Sequence, residues 1–153
     1  MGTATTIGLI ALGIVFSMLV ASVVAKLALH LMRGPLEARI AAHYGPDEIL
    51  MKDLKAMSFG LESRGKWQGR GNGALVLTAD YLHFFRFVRG ADLRVPLGAI
   101  TDLAFTRSHL GKATIHDLLK VGFTADAQAD SIAWYLADPR AWKARIEDLR
   151  SGR

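Results

Sequence analysis

The feature that most limits what this chain can fold into is an uncharged apolar run near its start. The stretch IGLIALGIVFSMLVASVVA, residues 7–25, is 19 residues of mainly Leu, Ile, Val and Ala. A helix needs roughly 20 such residues to cross the hydrocarbon core of a bilayer, so the run predicts a transmembrane helix. A secretory signal has a cationic start, a shorter apolar stretch and a small-residue cleavage site. MGTATT carries no side-chain charge, which favours an uncleaved signal-anchor, although Val23-x-Ala25 is a passable cleavage motif. The membrane-flanking cations Lys26 and Arg33, with Arg39 and His30, all follow the run. Positive residues stay cytoplasmic, so the expected placement is a single pass through the cell membrane with the C-terminal part inside. Lys26 snorkels toward the headgroups, so the helix is expected to continue through Leu31 and break at Gly34-Pro35. Ser17, Ala21 and Ala25 form a small-residue stripe of the kind that lets two helices approach, leaving a homo-oligomer among the open readings.

The remaining length accommodates one small domain. The expected division is 1–32 as the membrane helix, 33–54 as a linker with a short helix, and 55–153 as the domain. In the linker Pro35 takes the first helical position, Leu36, Ile40 and His43 or Tyr44 share a face, and Gly45-Pro46 is the stop. This short helix is expected to pack on the domain or to lie on the membrane surface. The linker spans at most roughly 70 Å when fully extended.

After Asp47 short apolar runs alternate with Gly, Asp and Asn at all-β spacing. Seven strands are expected, at 55–62, 73–78, 81–88, 92–96, 100–107, 117–124 and 130–137, with tight connections at Ala79-Asp80, Arg89-Gly90 and Leu97-Gly98. Asp138 then reads as an N-cap and Pro139 as the first helical residue, while Trp142, Ile146 and Leu149 fall on one helical face. The predicted class is mainly β, a seven-stranded bent sheet or partly open barrel capped by a C-terminal α-helix, preceded by the transmembrane helix.

Particular residues add a likeness to this count. GNGALVLTADYLHF, residues 71–84, resembles the second and third strands of bacterial PH-like (pleckstrin-homology superfold) and GRAM-like domains, with their L-x-L-T-x-x-x-L-x-F rhythm. LRVPLGAI, residues 93–100, is similar to their fourth strand and the turn after it. Ser108 to Lys112 and Trp142 match further features of uncharacterised members of the group. The resemblance implies a PH-like fold over residues 55–149 and a lipid-binding, peptide-binding or scaffolding role. Phosphoinositide-binding PH domains place a Lys near the end of the first strand and a K/R-x-R pair across the first hairpin. This chain instead has Arg64, Lys66 and Arg70 at other spacing.

The formal net charge is +5, and its excess is local. Between Arg64 and Arg94 the cations Arg64, Lys66, Arg70, Arg86, Arg89 and Arg94 face only Asp80 and Asp92. The loop from Ser63 to Gly73 combines flexible glycines, three cations and Trp67, a pattern suited to an acidic peptide or an anionic lipid headgroup. Arg64, Lys66, Trp67 and Arg70 are therefore the candidate partner- or lipid-binding residues, each cation contributing about 1 kcal/mol beside an anionic leaflet. The competing expectation is a solvated hairpin with Trp67 folded back on the sheet.

Catalytic signatures are missing from the sequence. The absence of Cys excludes disulfides, thiolate metal sites and a cysteine nucleophile. Gly111-Lys112 lacks the spacing of a phosphate-binding loop, and Gly69-x-Gly71-x-Gly73 precedes a strand where a dinucleotide site needs a helix. His83, His109, His116 and Asp117 are the candidate metal ligands, but adjacent residues on a strand face opposite ways. Ser108-His109 fails as a hydrolase pair for the same reason, with no G-x-S-x-G motif present. Phe84, Phe85 and Phe87 interleaved with Arg86 and Arg89 would suit nucleic acid, but strand alternation sends at least one set into the core. No cofactor, no metal, no nucleic acid and no enzyme activity are expected. The expected function is a membrane-anchored, non-enzymatic scaffold that binds a protein partner through an exposed sheet edge or the Trp67 loop. Anionic-lipid binding by the loop Arg64 to Arg70 is the alternative.

Overall fold

The computed structural model describes residues 2–88 and 92–152, without the side chains of 3–6, 29–30 and 32–33. The expected turn at Arg89-Gly90 and the side chain of Arg33 therefore lie outside the described residues. The chain divides into two compact units, Met1–Pro35 and Leu36–Arg153.

The first unit is helical and belongs to α1 (Gly2–Ala41). Within it Ile7–Ala28 is long and apolar enough to cross a membrane. Its side chains such as Leu9, Phe16, Met18 and Val23 are exposed. The expected break at Gly34-Pro35 does not occur, because α1 contains Pro35 and ends at Ala41. Proline removes one backbone hydrogen bond and crowds the preceding turn. Leu36 and Ile40, which follow it, are buried in the second unit.

The second unit is a seven-stranded antiparallel sheet followed by a helix. Its strands are β1 (Met51–Leu61), β2 (Gly71–Leu77), β3 (Tyr81–Arg86), β4 (Leu93–Pro96), β5 (Ile100–His109), β6 (Lys112–Ala125) and β7 (Gln128–Tyr135), and α2 (Pro139–Ser151) closes the chain. The spatial order is β4-β3-β2-β1-β7-β6-β5, an open sheet with β4 and β5 at its edges. β1 is shared: its first part pairs with β2 and its last part with β7, with register irregularities at Asp53/Ala56 and at Ser58/Leu61. Such irregularities bend a strand and let one sheet turn its two halves toward each other. β1 begins at Met51, earlier than the expected Lys55, and β6 is longer than expected at both ends.

The inner faces meet in a core that includes Leu75, Leu82, Phe84, Val95, Leu119, Val121, Ile132 and Trp134. α2 adds Trp142 and Ile146, with Leu149 packed against them, as the sequence spacing predicts. Asp138 caps α2 by accepting from the backbone N–H groups of Arg140 and Ala141. Of the adjacent pair in β7, Trp134 is core and Tyr135 half-buried.

A second cluster covers the opposite face of β2 and β3. Leu36, Ile40 and Tyr44 pack there on Ala74, Val76 and Phe85. The segment read as a linker is thus folded onto the sheet from Leu36 onward, so the 70 Å reach expected of it is not available. Both phenylalanine sets of β3 are in consequence buried, Phe84 inward and Phe85 beneath the helix.

Candidate functional site

The loop between β1 and β2 is built by a few specific contacts. Gly60 ends the regular part of β1 with φ +102, a conformation that L side chains rarely adopt. A 3-10 turn at Glu62–Arg64 follows, closed by Gly65 at φ +76, whose N–H donates to the Glu62 carbonyl. Gln68 then pins the loop. Its Oε1 accepts from Leu61 N at 3.1 Å, and its Nε2 donates to the carbonyls of Leu61 at 2.6 Å and Gly65 at 2.8 Å. Ser63 ties the loop to β7 by donating its N–H and Oγ to the Asp130 carboxylate at 2.9 and 2.6 Å.

This frame projects Trp67 into solvent, with a relative exposure of 101%. The alternative in which Trp67 folds back on the sheet is not what the structure contains. Arg64 and Lys66 are exposed beside it. Arg70 is exposed as well but anchored, its guanidinium 4.7 Å from the Phe59 ring and its Nη2 donating to the Ala113 carbonyl at 3.2 Å. Of the four candidate residues, three form a free tip and the fourth braces its base.

The same end of the unit carries two further features. Gly73 pairs with Arg86 and the Phe87 N–H donates to Asn72 O, so the β3–β4 connection lies beside the start of β2. Arg39, one turn beyond Leu36, donates to the Arg86 carbonyl and to the Asp92 carboxylate, both at 2.7 Å. Val88 in that connection is 74% exposed.

The candidate metal ligands are dispersed into separate structural roles. His83 is buried, 2.9 Å from the Tyr44 hydroxyl and stacked on Phe85 with ring centres 3.9 Å apart. Burial pushes its imidazole down to about 4. His109 lies 3.0 Å from the Gly60 carbonyl and is also held below the ordinary imidazole range, chiefly by burial. His116 is exposed against Tyr135. Asp117 pairs with Arg107 at 2.9 Å and Arg140 at 3.4 Å, and the Arg107 hydrogen bond lowers its pKa. Among the described residues no group of three or more His, Cys, Asp or Glu side chains could hold a metal ion. Ser108 is exposed and His109 buried, so the two face apart.

The sheet edges differ, a contrast that sequence reasoning left open. β4 is four residues long and ends in Pro96, which has no N–H to offer. β5 is ten residues long and pairs only with β6 among the described residues. Its register with β6 is regular from Asp102 to Thr106, between two irregularities. Thr101, Asp102 and Phe105 are exposed along it, with Arg140 lying 5.2 Å from the Phe105 ring centre.

Among solved structures the chain is similar to the crystal structure of the C-terminal domain of an unknown protein from Leishmania infantum. The identity is 13%, covering 66% of this chain and 83% of that one, with a TM-score of 0.46. No protein-family model matches the chain. A search of curated proteins finds no match.

Proposed function

We propose that this chain is a membrane-anchored, non-enzymatic binding module of PH-like design, held at the cytoplasmic face and gathering a protein partner there. The apolar helix Ile7–Ala28, with Lys26 near its end and Arg33 and Arg39 after it, supports the anchor and its orientation. Seven antiparallel strands followed by a capping helix, with the motifs of residues 71–84 and 93–100 on β2, β3 and β4, support the PH-like class. The observation that carries the partner reading is the β5 edge. Arg150 occupies the Ile100 carbonyl and Thr106 Oγ1 the backbone of Ser108, but between them the stretch Asp102–Thr106 has an outer side that pairs with no strand among the described residues, room for an extended segment of another chain whose alternate side chains supply selectivity. Confinement to the membrane raises the effective concentration of partners in the same bilayer, so a weak edge contact suffices.

The test is site-specific photo-crosslinking from the full chain in its native membranes, with the photoreactive residue at Thr101 or Phe105 on β5 and at Ala144 on the exposed face of α2. A single protein adduct from both β5 positions, absent from Ala144, is the expected result. No adduct from either β5 position refutes the edge as the partner site.

A further inference from the structure

The β5 edge carries a local excess of positive charge at one end, and that excess narrows what can occupy it. We infer that the occupant is an extended segment of another protein that places an acidic side chain against Arg107 and Arg140 and an apolar one on Phe105. The inference rests on the edge reading of the proposed function and adds the chemistry of the partner.

Three elements meet at the corner between β5 and the start of α2. Asp117 on β6 accepts from Arg107 Nε on β5 at 2.9 Å and from Arg140 Nη2 on α2 at 3.4 Å. The Arg140 guanidinium also lies 5.2 Å from the centre of the Phe105 ring, so it joins the aromatic residue of the edge to the carboxylate. Asp138, the other acid at this corner, is engaged by the backbone N–H groups of Arg140 and Ala141. Further along α2, Glu147 pairs with Lys143 and Asp148 with Arg145. Two guanidinium groups thus share the single carboxylate of Asp117. Each gives it one N–H, whereas a guanidinium carries five in a planar fork that fits a carboxylate two at a time. The Arg107 and Arg140 side chains are 70% and 74% exposed and that of Asp117 is 28% exposed, so the cations face solvent more fully than the acid they share.

Strand geometry sets the pattern required of the occupant. Side chains on a segment paired with β5 alternate between faces, so the residue opposite Phe105 shares its face with the residue two positions along, beside Arg107. Two positions span about 7 Å. Phe105 is 37% exposed and offers ring surface to an apolar side chain at the first position. The second position faces the two guanidinium groups, where a carboxylate is attracted and a basic side chain repelled. Asp102, the acid of β5 itself, stands three positions from Phe105 in the regular stretch and so lies on the other face. The partner segment therefore carries an apolar and an acidic residue separated by one residue.

Photo-crosslinking from the full chain in its native membranes tests this, with the photoreactive residue at Thr101, away from the charged corner. The yield of protein adduct is taken per membrane-resident chain. Arg140→Gln removes one of the two cations and should lower the yield about twofold to fivefold. Asp117→Asn removes the competing carboxylate and should raise it by a similar factor, a direction that a loosened fold does not produce. Arg145→Gln, the same loss of charge elsewhere on α2, should leave the yield as it is. An undiminished yield in Arg140→Gln, or an unchanged or lower one in Asp117→Asn, overturns the acidic occupant and leaves the edge reading intact. An adduct at twice the mass of this chain makes the occupant a second copy and likewise overturns the inference. No adduct from Thr101 or from Phe105 refutes the edge and the inference together.

Discussion

The structure makes the segment 36–50 part of the folded domain, and this sets the minimum fragment that can fold. Two soluble fragments compare the cases: residues 34–153, which keep the helical segment, and residues 51–153, which keep all of β1 but lose it. The shorter fragment forfeits the burial of Leu36 and Ile40, at 1% and 2% exposure. Each such side chain contributes about 1.5–3 kcal/mol. It also loses the Tyr44–His83 hydrogen bond, worth about 1 kcal/mol, and uncovers Ala74, Val76 and Phe85. The Arg39–Asp92 pair, partly exposed on both sides, adds at most about 1 kcal/mol. Together these reach roughly 5–8 kcal/mol, comparable to the whole stability of a typical domain at about 5–15 kcal/mol. Urea denaturation followed by circular dichroism should therefore give a cooperative transition for 34–153. For 51–153 the transition should be lost or far weaker, with a hydrophobic dye binding the uncovered face of β2 and β3. Within the longer fragment, Ile40→Ala should cost about 2–5 kcal/mol, while Glu37→Ala on the exposed side stays within about 0.5 kcal/mol. Equal midpoints for 34–153 and 51–153 would show that segment 34–50 adds nothing to the stability of the domain.

Further expectations follow from single sites. His83 is neutral and buried with its pKa lowered to about 4, whereas the unfolded chain protonates it near the ordinary 6.5, so its contribution is complete above about pH 6.5 and is lost as pH falls toward 4. The loss amounts to about 3 kcal/mol, read as the change in unfolding free energy of 34–153 between pH 7 and pH 4, and an NMR titration placing the His83 imidazole near 6.5 would contradict it. At Gly73 an added Cβ would stand 2.1 Å from the Phe85 carbonyl oxygen and 2.9 Å from the Phe84 ring. Gly73→Ala should therefore break the β2–β3 pairing and cost at least about 3 kcal/mol, and an unchanged denaturation midpoint would show that the strands can shift apart. Removing the Gln68 side chain in Gln68→Ala deletes three hydrogen bonds that hold the Trp67 loop, so amide exchange at Leu61, whose N–H loses its acceptor, should accelerate while the exchange of β6 and β7 amides stays the same.

The legibility of this chain divides along local and distant causes. Asp138 and Pro139 start α2, and Trp142, Ile146 and Leu149 face the core, because capping and helical spacing act within a few residues. All seven strands were readable from apolar runs and the turn residues between them. The start of β1 was not, since the charged pair Lys52-Asp53 reads as a break after the apolar Ile49 to Met51, whereas both residues lie inside the strand. Pro35 reads locally as a helix break. The packing of Leu36 and Ile40 on Val76 and Phe85, which makes the residues after it part of the domain, joins residues far apart in sequence. For the same reason the burial of Phe85 was invisible in β3 alone. In the candidate site, the composition of the Ser63–Gly73 loop singled out Arg64, Lys66, Trp67 and Arg70. Whether Trp67 turned inward depended on Gln68, a residue that reads in sequence only as a polar loop position. Its amide happens to match the backbone groups of Leu61 and Gly65.

The proposed membrane anchor, with the β domain on the cytoplasmic face, can be tested directly because the chain has no cysteine. A single cysteine placed by Ser151→Cys, at the exposed end of α2, is treated in intact cells and in permeabilised cells with a membrane-impermeant maleimide. The full-length chain is expected to stay in the alkali-washed membrane fraction and to be labelled only after permeabilisation. Labelling in intact cells, or recovery of a shortened chain in the soluble fraction, would contradict it.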